Sequence, residues 1–407
     1  MTELSQHFSQ NDPLASGGLS DAARNPVGAD REQRIEGNTG EPLVSCIIIF
    51  LDAKRFIQEA IESIFAQSYE NWELLLVDDG STDGSTDIAR RYAQQHPEKV
   101  RYLEHPGHQN HGMSATRNLG VSHAKGDVIA FLDADDVWLP RKLEEQVAIL
   151  GSHPEVGMVC GARQHWYSWT GDHQDAQRDF VIGLGTQADF LFEPPALLSL
   201  LHPLGIVSSP HTSSLLLRRE IVERLGGYEE KFRGIHEDQA FLVKVYLKEP
   251  VYVSSVCWNR YRQHSTSCFA ITRKTGKVRC EWLVLLDWLE EYLSEQGVED
   301  PEVWELLRGH QVFARVRVHT QKREWKQAKG WALVLVRHHP WVFFRRLFEM
   351  IRWTILYTGV FQRMGPKFGA WLVRELSPAA KWRKIPNKGR NAHFATKFKS
   401  LARRQEL

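Results

Sequence analysis

Three carboxylates, Asp133, Asp135 and Asp136, follow directly on the apolar run Val128-Ile129-Ala130-Phe131-Leu132. Like charges a few ångströms apart raise one another's pKa, so such a cluster is held most comfortably around a bound cation, Mg2+ or Mn2+. A second acidic turn, Asp78-Asp79-Gly80-Ser81-Thr82-Asp83-Gly84, closes another apolar run, Trp72 to Val77. Together the two turns suit a ligand with a polar head and a charged diphosphate. One carboxylate can accept hydrogen bonds from a nucleobase or ribose while the other group holds the cation against phosphate oxygens. Taken singly, an Asp-x-Asp after a strand serves equally well as a helix cap or turn.

The elements that must carry these turns are legible in the hydrophobic pattern. Leu43 to Leu51 is a continuous β-branched run of the kind buried on both faces of a parallel sheet. Phe56, Ile57, Ala60, Ile61, Ile64 and Phe65 then repeat with helical period within 55–67. Strands are expected at 72–77, 100–104, 128–132, 156–162, 212–217 and 251–258, and helices at 88–95, 114–123, 140–150, 220–225 and 237–247. The alternation predicts an α/β fold with a doubly wound, mostly parallel, Rossmann-like sheet, whose ligands sit at the carboxyl ends of the strands. Residues 163–210 show no usable pattern.

Five blocks, in order, resemble the nucleotide-diphospho-sugar transferases of glycosyltransferase family 2. They are Val44-Ser45-Cys46-Ile47-Ile48-Ile49, Ala60 to Tyr69 (AIESIFAQSY), Leu75-Leu76-Val77-Asp78-Asp79-Gly80-Ser81-Thr82-Asp83, Gly112 to Gly120 (GMSATRNLG), and Phe131-Leu132-Asp133-Ala134-Asp135-Asp136. The resemblance is strong over 42–150, moderate over 210–270, and does not reach the C-terminal third. It implies a GT-A fold and an inverting, metal-dependent transfer of sugar from a nucleotide diphosphate, UDP foremost, to a glycan or lipid-linked glycan hydroxyl. By the same resemblance Asp79 contacts the donor base, Arg117 supports the nucleotide, Asp133 meets its ribose or the metal, and Asp135 ligates the cation. Glu237-Asp238 matches the family's Glu-Asp block, which makes Asp238 the base that deprotonates the acceptor and Glu237 a donor-side residue. A helix dipole there would help keep Asp238 ionised. His264 is implied at the metal or diphosphate, with Arg262 beside it. Phe50 and Asp52, also on the donor side, stand where the family has proline and asparagine. On residue types alone, Glu237-Asp238 reads equally as acidic decoration of a helix's first turn.

Charge divides the chain in two. Residues 1–307 hold 28 Lys and Arg against 46 Asp and Glu, a net of −18, whereas 308–407 hold 23 against 4, a net of +19. A segment so basic seeks phosphate-rich surfaces. Trp341 to Phe361 reads as an interfacial helix, and the tail Lys381 to Arg404 adds attraction to an anionic leaflet, while nothing beside it resembles a nucleic-acid-binding motif. The expected layout is a leader at 1–41, a GT-A domain at 42–270, a helical extension at 271–380 and a basic tail at 381–407. The expected place is the cytoplasm, peripheral on the inner face of the plasma membrane. Five widely spaced cysteines without a CxxC pair argue against a disulfide framework or structural zinc. His105, His108 and His111 sit three apart in a loop, where that spacing sets no shared face, so zinc is not expected there either. Two rival functions remain open from sequence: a haloacid-dehalogenase-type phosphatase using Asp133-x-Asp135, although that chemistry wants the motif at the first strand, and a non-catalytic scaffold that binds nucleotide sugar.

Overall fold

The computed structural model describes residues 41–343, apart from Ile206 and Trp341. The first half runs β1 (Val44–Phe50), α1 (Ile57–Phe65), β2 (Trp72–Asp78), α2 (Ser85–Gln95), β3 (Val100–Glu104), α3 (Met113–His123), β4 (Val128–Asp133), β5 (Val137–Trp138) and α4 (Lys142–Ser152). It continues through β6 (Met158–Trp166), α5 (His173–Ala176), β7 (Phe180–Ile182), β8 (Phe190–Phe192) and α6 (Ala196–Leu200). Next come β9 (Leu216–Arg218), α7 (Arg219–Arg224), α8 (Glu237–Lys248) and β10 (Val251–Arg262). Four helices close the described chain: α9 (Cys268–Lys274), α10 (Val278–Glu295), α11 (Pro301–Gln321) and α12 (Trp325–His338).

All ten strands join one sheet, in the order β3-β2-β1-β4-β9-β6-β10-β5, with β7 beside β6 and β8 beside β10. The four strands β3-β2-β1-β4 are parallel, β9 is antiparallel to both its neighbours, and β6 and β10 run parallel. This is the doubly wound, mostly parallel sheet that the pattern predicts, of the GT-A type that the resemblance implies. Register sets the level of the acidic turns: Phe50 pairs with Asp78 on one side of β1, and Ile49 with Asp133 on the other. Both turns therefore leave the sheet along one edge, at the carboxyl ends of the two strands that flank β1.

Side chains alternate across the sheet and build a core on each face. Ile47, Leu75, Val77, Ile129 and Phe131 pack with Phe241 and Val245 of α8, and the same core takes in Trp282, Leu285, Leu289, Leu307 and Ala314 of α10 and α11. Cys46, Ile48, Leu74, Leu76 and Leu132 face the other way, onto Ile57, Ile61 and Ile64 of α1 and Leu143 of α4. Each such fully buried aliphatic side chain is worth roughly 1.5–3 kcal/mol.

Three stretches differ from the expectation. Thr212–Ser214 is a 3-10 turn, and only Leu216–Arg218 is strand. The hydroxyls explain this, since Ser214 Oγ bonds back to the His211 carbonyl and stabilises a turn where strand was expected. β6 and β10 each run four residues further than predicted. The region 163–210 contains the end of β6, two short helices, β7, β8 and the 3-10 turn Ser168–Thr170. Trp341, residues 344–361 and the tail 381–404, on which the interfacial reading fell, lie outside the described residues, as does the leader 1–40.

Candidate active site

The turn after β2 is satisfied mainly by backbone amides. Asp78, with no exposed surface, accepts from the Gly80 and Ser81 amides through Oδ1 and from Thr86 and Tyr102 hydroxyls through Oδ2. Asp79 accepts from the amides of His111 and Gly112, so it ties the loop before α3 to the end of β2. Gly80 has φ +88°, and a Cβ there would lie 2.9 Å from the His108 carbonyl oxygen, so glycine is required for the approach. Asp52, itself at φ 49°, accepts from the Thr82 amide at 2.7 Å, and the Phe50 carbonyl accepts from the Asp79 amide. His105 bonds Thr116 and stacks on His111, whereas His108 points elsewhere, to Glu104 and the Ser81 carbonyl. The three histidines do not converge on one point.

The turn after β4 is paired with side chains from distant parts of the chain. Arg117 of α3, 2% exposed, donates to Asp133 Oδ1 and to Glu237 Oε1, both at 2.9 Å. Burial opposes its charge, but the two carboxylates more than offset that and hold the guanidinium protonated. Asp135 Oδ2 lies 2.9 Å from His264 Nε2, and Arg262 donates to the Asp135 carbonyl oxygen and to Glu59. The Arg262 guanidinium lies 4.3 Å from the Trp166 ring centroid, 4.9 Å from Phe56 and 5.3 Å from Trp169. Trp169 Nε1 in turn donates to the Gln263 carbonyl at 3.0 Å, which fixes the loop that carries His264.

One residue here, His211, escaped the reading of the sequence, which took Asp136 as part of the acidic cluster. Asp136, 1% exposed, accepts from the Arg262 amide and the Ser213 hydroxyl. Burial, and after it the charges of Asp135 and Asp133, push its pKa well up. His211 places Nδ1 3.4 Å from Asp136 Oδ2 and Nε2 3.9 Å from Asp133 Oδ2, and burial lowers its pKa to about 3, leaving a neutral imidazole. Among the described residues, Asp133, Asp136 and His211 are the one group of His, Cys, Asp or Glu able to hold a metal ion, with ligand atoms within 4.8 Å of one another. Hard carboxylate oxygens with one imidazole nitrogen suit Mg2+ or Mn2+, so the donor set fits the expected cation. His211 carries no local signal, because its relation to Asp133 exists only once β4 and β9 pair.

Glu237 and Asp238 open α8 behind His236, which sits at φ 78°. Burial, then the charge of Asp238, pushes Glu237 up to about 7, with Arg117 pulling the other way. Asp238 is also raised, chiefly by burial, and its carboxylate accepts from the Gln239 amide and side chain. A carboxyl held above its usual range, next to a partner of the same kind, is suited to take up a proton near neutral pH.

A mostly parallel sheet with acidic turns gathered at its carboxyl edge is a GT-A-type fold. Within that fold, residues 45–226, less than half of the chain, match the family model described as "Glycosyl transferase family 2". Of its curated relatives, one from Bacillus subtilis with a glycosyltransferase name, EpsE, is 45% identical over 122 residues, 30% of this chain and 43% of its own. Another from the same organism, TuaG, named for glycosyl transfer in teichuronic acid biosynthesis, is 38% identical over 112 residues, 27% of this chain and 42% of its own. The chain thus spans less than half the length of these relatives. Among solved structures it is similar to the mannosyltransferase PcManGT from Pyrobaculum calidifontis in complex with GDP-Man and Mn2+, at 17% identity, with a TM-score of 0.49, covering 88% of this chain and 94% of that one.

Proposed function

We propose that the chain is an inverting, divalent-metal-dependent glycosyltransferase that moves a sugar from a UDP-linked donor to a hydroxyl of a glycan or lipid-linked glycan. The observation that carries the reading is Arg117, buried between Asp133 at the end of β4 and Glu237 at the start of α8. That pair of contacts supports reading the donor-side acidic turn and the Glu-Asp block, which flank one guanidinium, as parts of a single site. In this account Asp79, through the loop at 111–112, together with Phe50 and Asp52, shapes the base and ribose pocket. Asp133 and Asp136 with His211, and Asp135 with His264 beside them, would hold Mg2+ or Mn2+. The ion, when bound, would neutralise the diphosphate as it leaves. Asp238 takes the proton from the acceptor hydroxyl as that oxygen attacks the anomeric carbon, and one displacement with one base inverts the configuration. The likeness to TuaG supports an envelope polysaccharide as acceptor. No helix among the described residues is long and apolar enough to cross a membrane. The place of work would be the inner face of the plasma membrane, with the basic C-terminal third as the contact.

The test is Asp238→Asn. It is expected to bind UDP with Mn2+ as the parent chain does, and to lose sugar transfer by roughly 10²–10⁴-fold. Transfer at the parent rate would show that another group is the base.

A further inference from the structure

We propose that helix α12 (Trp325–His338) is the surface that seats this chain on an anionic lipid bilayer. The inference deepens the membrane contact proposed above, moving it to a specific helix. α12 is anchored on one side only: Ala328 and Leu335 are buried, and Leu335 and Trp331 pack on Val312 and Phe313 of α11. Arg315 of α11 sits 5.5 Å over the Trp331 ring.

The opposite side presents Trp325, Leu333 and Val336 to solvent, at 64, 63 and 50% exposure. At 100° per residue these three fall within a quarter-turn, interleaved with Lys329 and flanked by Lys326 and Arg337, all exposed. The helix contains no Asp or Glu, and among the described residues none of the three cations has an ion-pair partner. An apolar patch in water at this density demands an occupant, and the charge around it says which.

A second copy would bring a like-charged face. The chain's own residues 344–407 carry 15 Lys and Arg against 3 Asp and Glu and would be repelled as well. Nucleic acid would satisfy the cations but give Leu333 and Val336 nothing to be buried in. An anionic leaflet satisfies both, with the aromatic and aliphatic side chains entering the acyl boundary and the cations remaining among the headgroups.

The experiment uses the full chain with vesicles of phosphatidylcholine alone or with phosphatidylglycerol, read by sedimentation and by hydrogen exchange of residues 325–338. The parent chain is expected to bind the anionic vesicles only, with slower exchange across 325–338. The triple variant Lys326→Gln, Lys329→Gln, Arg337→Gln is expected to lose roughly a hundredfold in vesicle affinity. The triple variant Trp325→Ser, Leu333→Ser, Val336→Ser is expected to lose the binding that survives high salt. Exchange unchanged at 325–338 on bound vesicles, or parent-like binding by both variants, overturns the proposal. So do equal binding to neutral vesicles, capture by duplex DNA in preference to vesicles, and a mass increase in solution that Leu333→Ser abolishes. UDP titration of the same variants separates this from the transferase reading: intact donor binding with lost vesicle binding touches the helix alone, and absent donor binding in the parent touches the catalytic account alone.

Discussion

The two acidic turns at the ends of the strands flanking β1 look alike in sequence and are used in opposite ways. After β2, the carboxylates are consumed by their own surroundings: Asp78 takes four hydrogen bonds, and Asp79 is bound by two amides. After β4, Asp133 and Asp135 are each about a quarter exposed and meet only side chains that arrive from elsewhere, namely Arg117, His211 and His264. A turn satisfied by backbone is rigid and shapes a wall. One held by borrowed side chains can exchange those partners for a ligand.

Breaking the second turn's central contact is expected to have the largest effect. Arg117→Ala leaves Asp133 and the buried Glu237 facing each other without a cation, and is expected to cost roughly 3–5 kcal/mol in urea unfolding. Asp78→Ala removes the acceptor from four donors, one buried and three half-buried, and is expected to destabilise by about 2–3 kcal/mol, with weakened nucleotide binding following from the collapsed turn. Asp135→Ala should do the reverse, leaving stability within about 0.5 kcal/mol while metal-dependent binding disappears. Equal destabilisation by Asp78→Ala and Asp135→Ala would erase the distinction between the turns.

Trp169→Phe keeps the ring near Phe56 and Arg262 but loses the bond to the Gln263 carbonyl. The expected result is a several-fold rise in the Mn2+ concentration needed for half-maximal activity, rescued at saturating metal. The smallest effect belongs to His108, whose two ring nitrogens face a carboxylate and a carbonyl, both acceptors. That arrangement needs the imidazolium, and the Ser81 carbonyl, followed by Glu104, raises its pKa above the ordinary value. Because the folded pKa is raised, the contribution is complete below about pH 6.5 and fades as pH rises through the folded value. Nucleotide affinity measured from pH 6 to 8.5 should decline slightly in the parent chain and be flat in this respect in His108→Gln.

Much of the sheet was legible because parallel strands buried on both faces must be continuously apolar, as in Leu43–Leu51, and because Gly and Asp runs mark their ends. What local pattern could not show was pairing across the chain. His211 reaches Asp136 over 75 positions, and Trp169 reaches Gln263 over 94, so neither has a neighbour in sequence that hints at its role. The segment around Trp169 has short strands whose stability comes from β6 and β10, not from its own periodicity. At 212–217 the apolar residues after Thr-Ser-Ser suggested a strand, and the bond from the Ser214 hydroxyl to the His211 carbonyl made its first half a turn.

The measurement that tests the central claim most directly is calorimetric titration of the chain with UDP, GDP and dTDP, each with and without Mn2+, repeated on Asp135→Ala. The account predicts that UDP binds most tightly, that binding is lost without metal, and that Asp135→Ala fails to bind UDP even with it while remaining folded. Metal-independent binding of UDP, or no binding of any of the three, would contradict the assignment of the turn after β4 as a diphosphate and metal site.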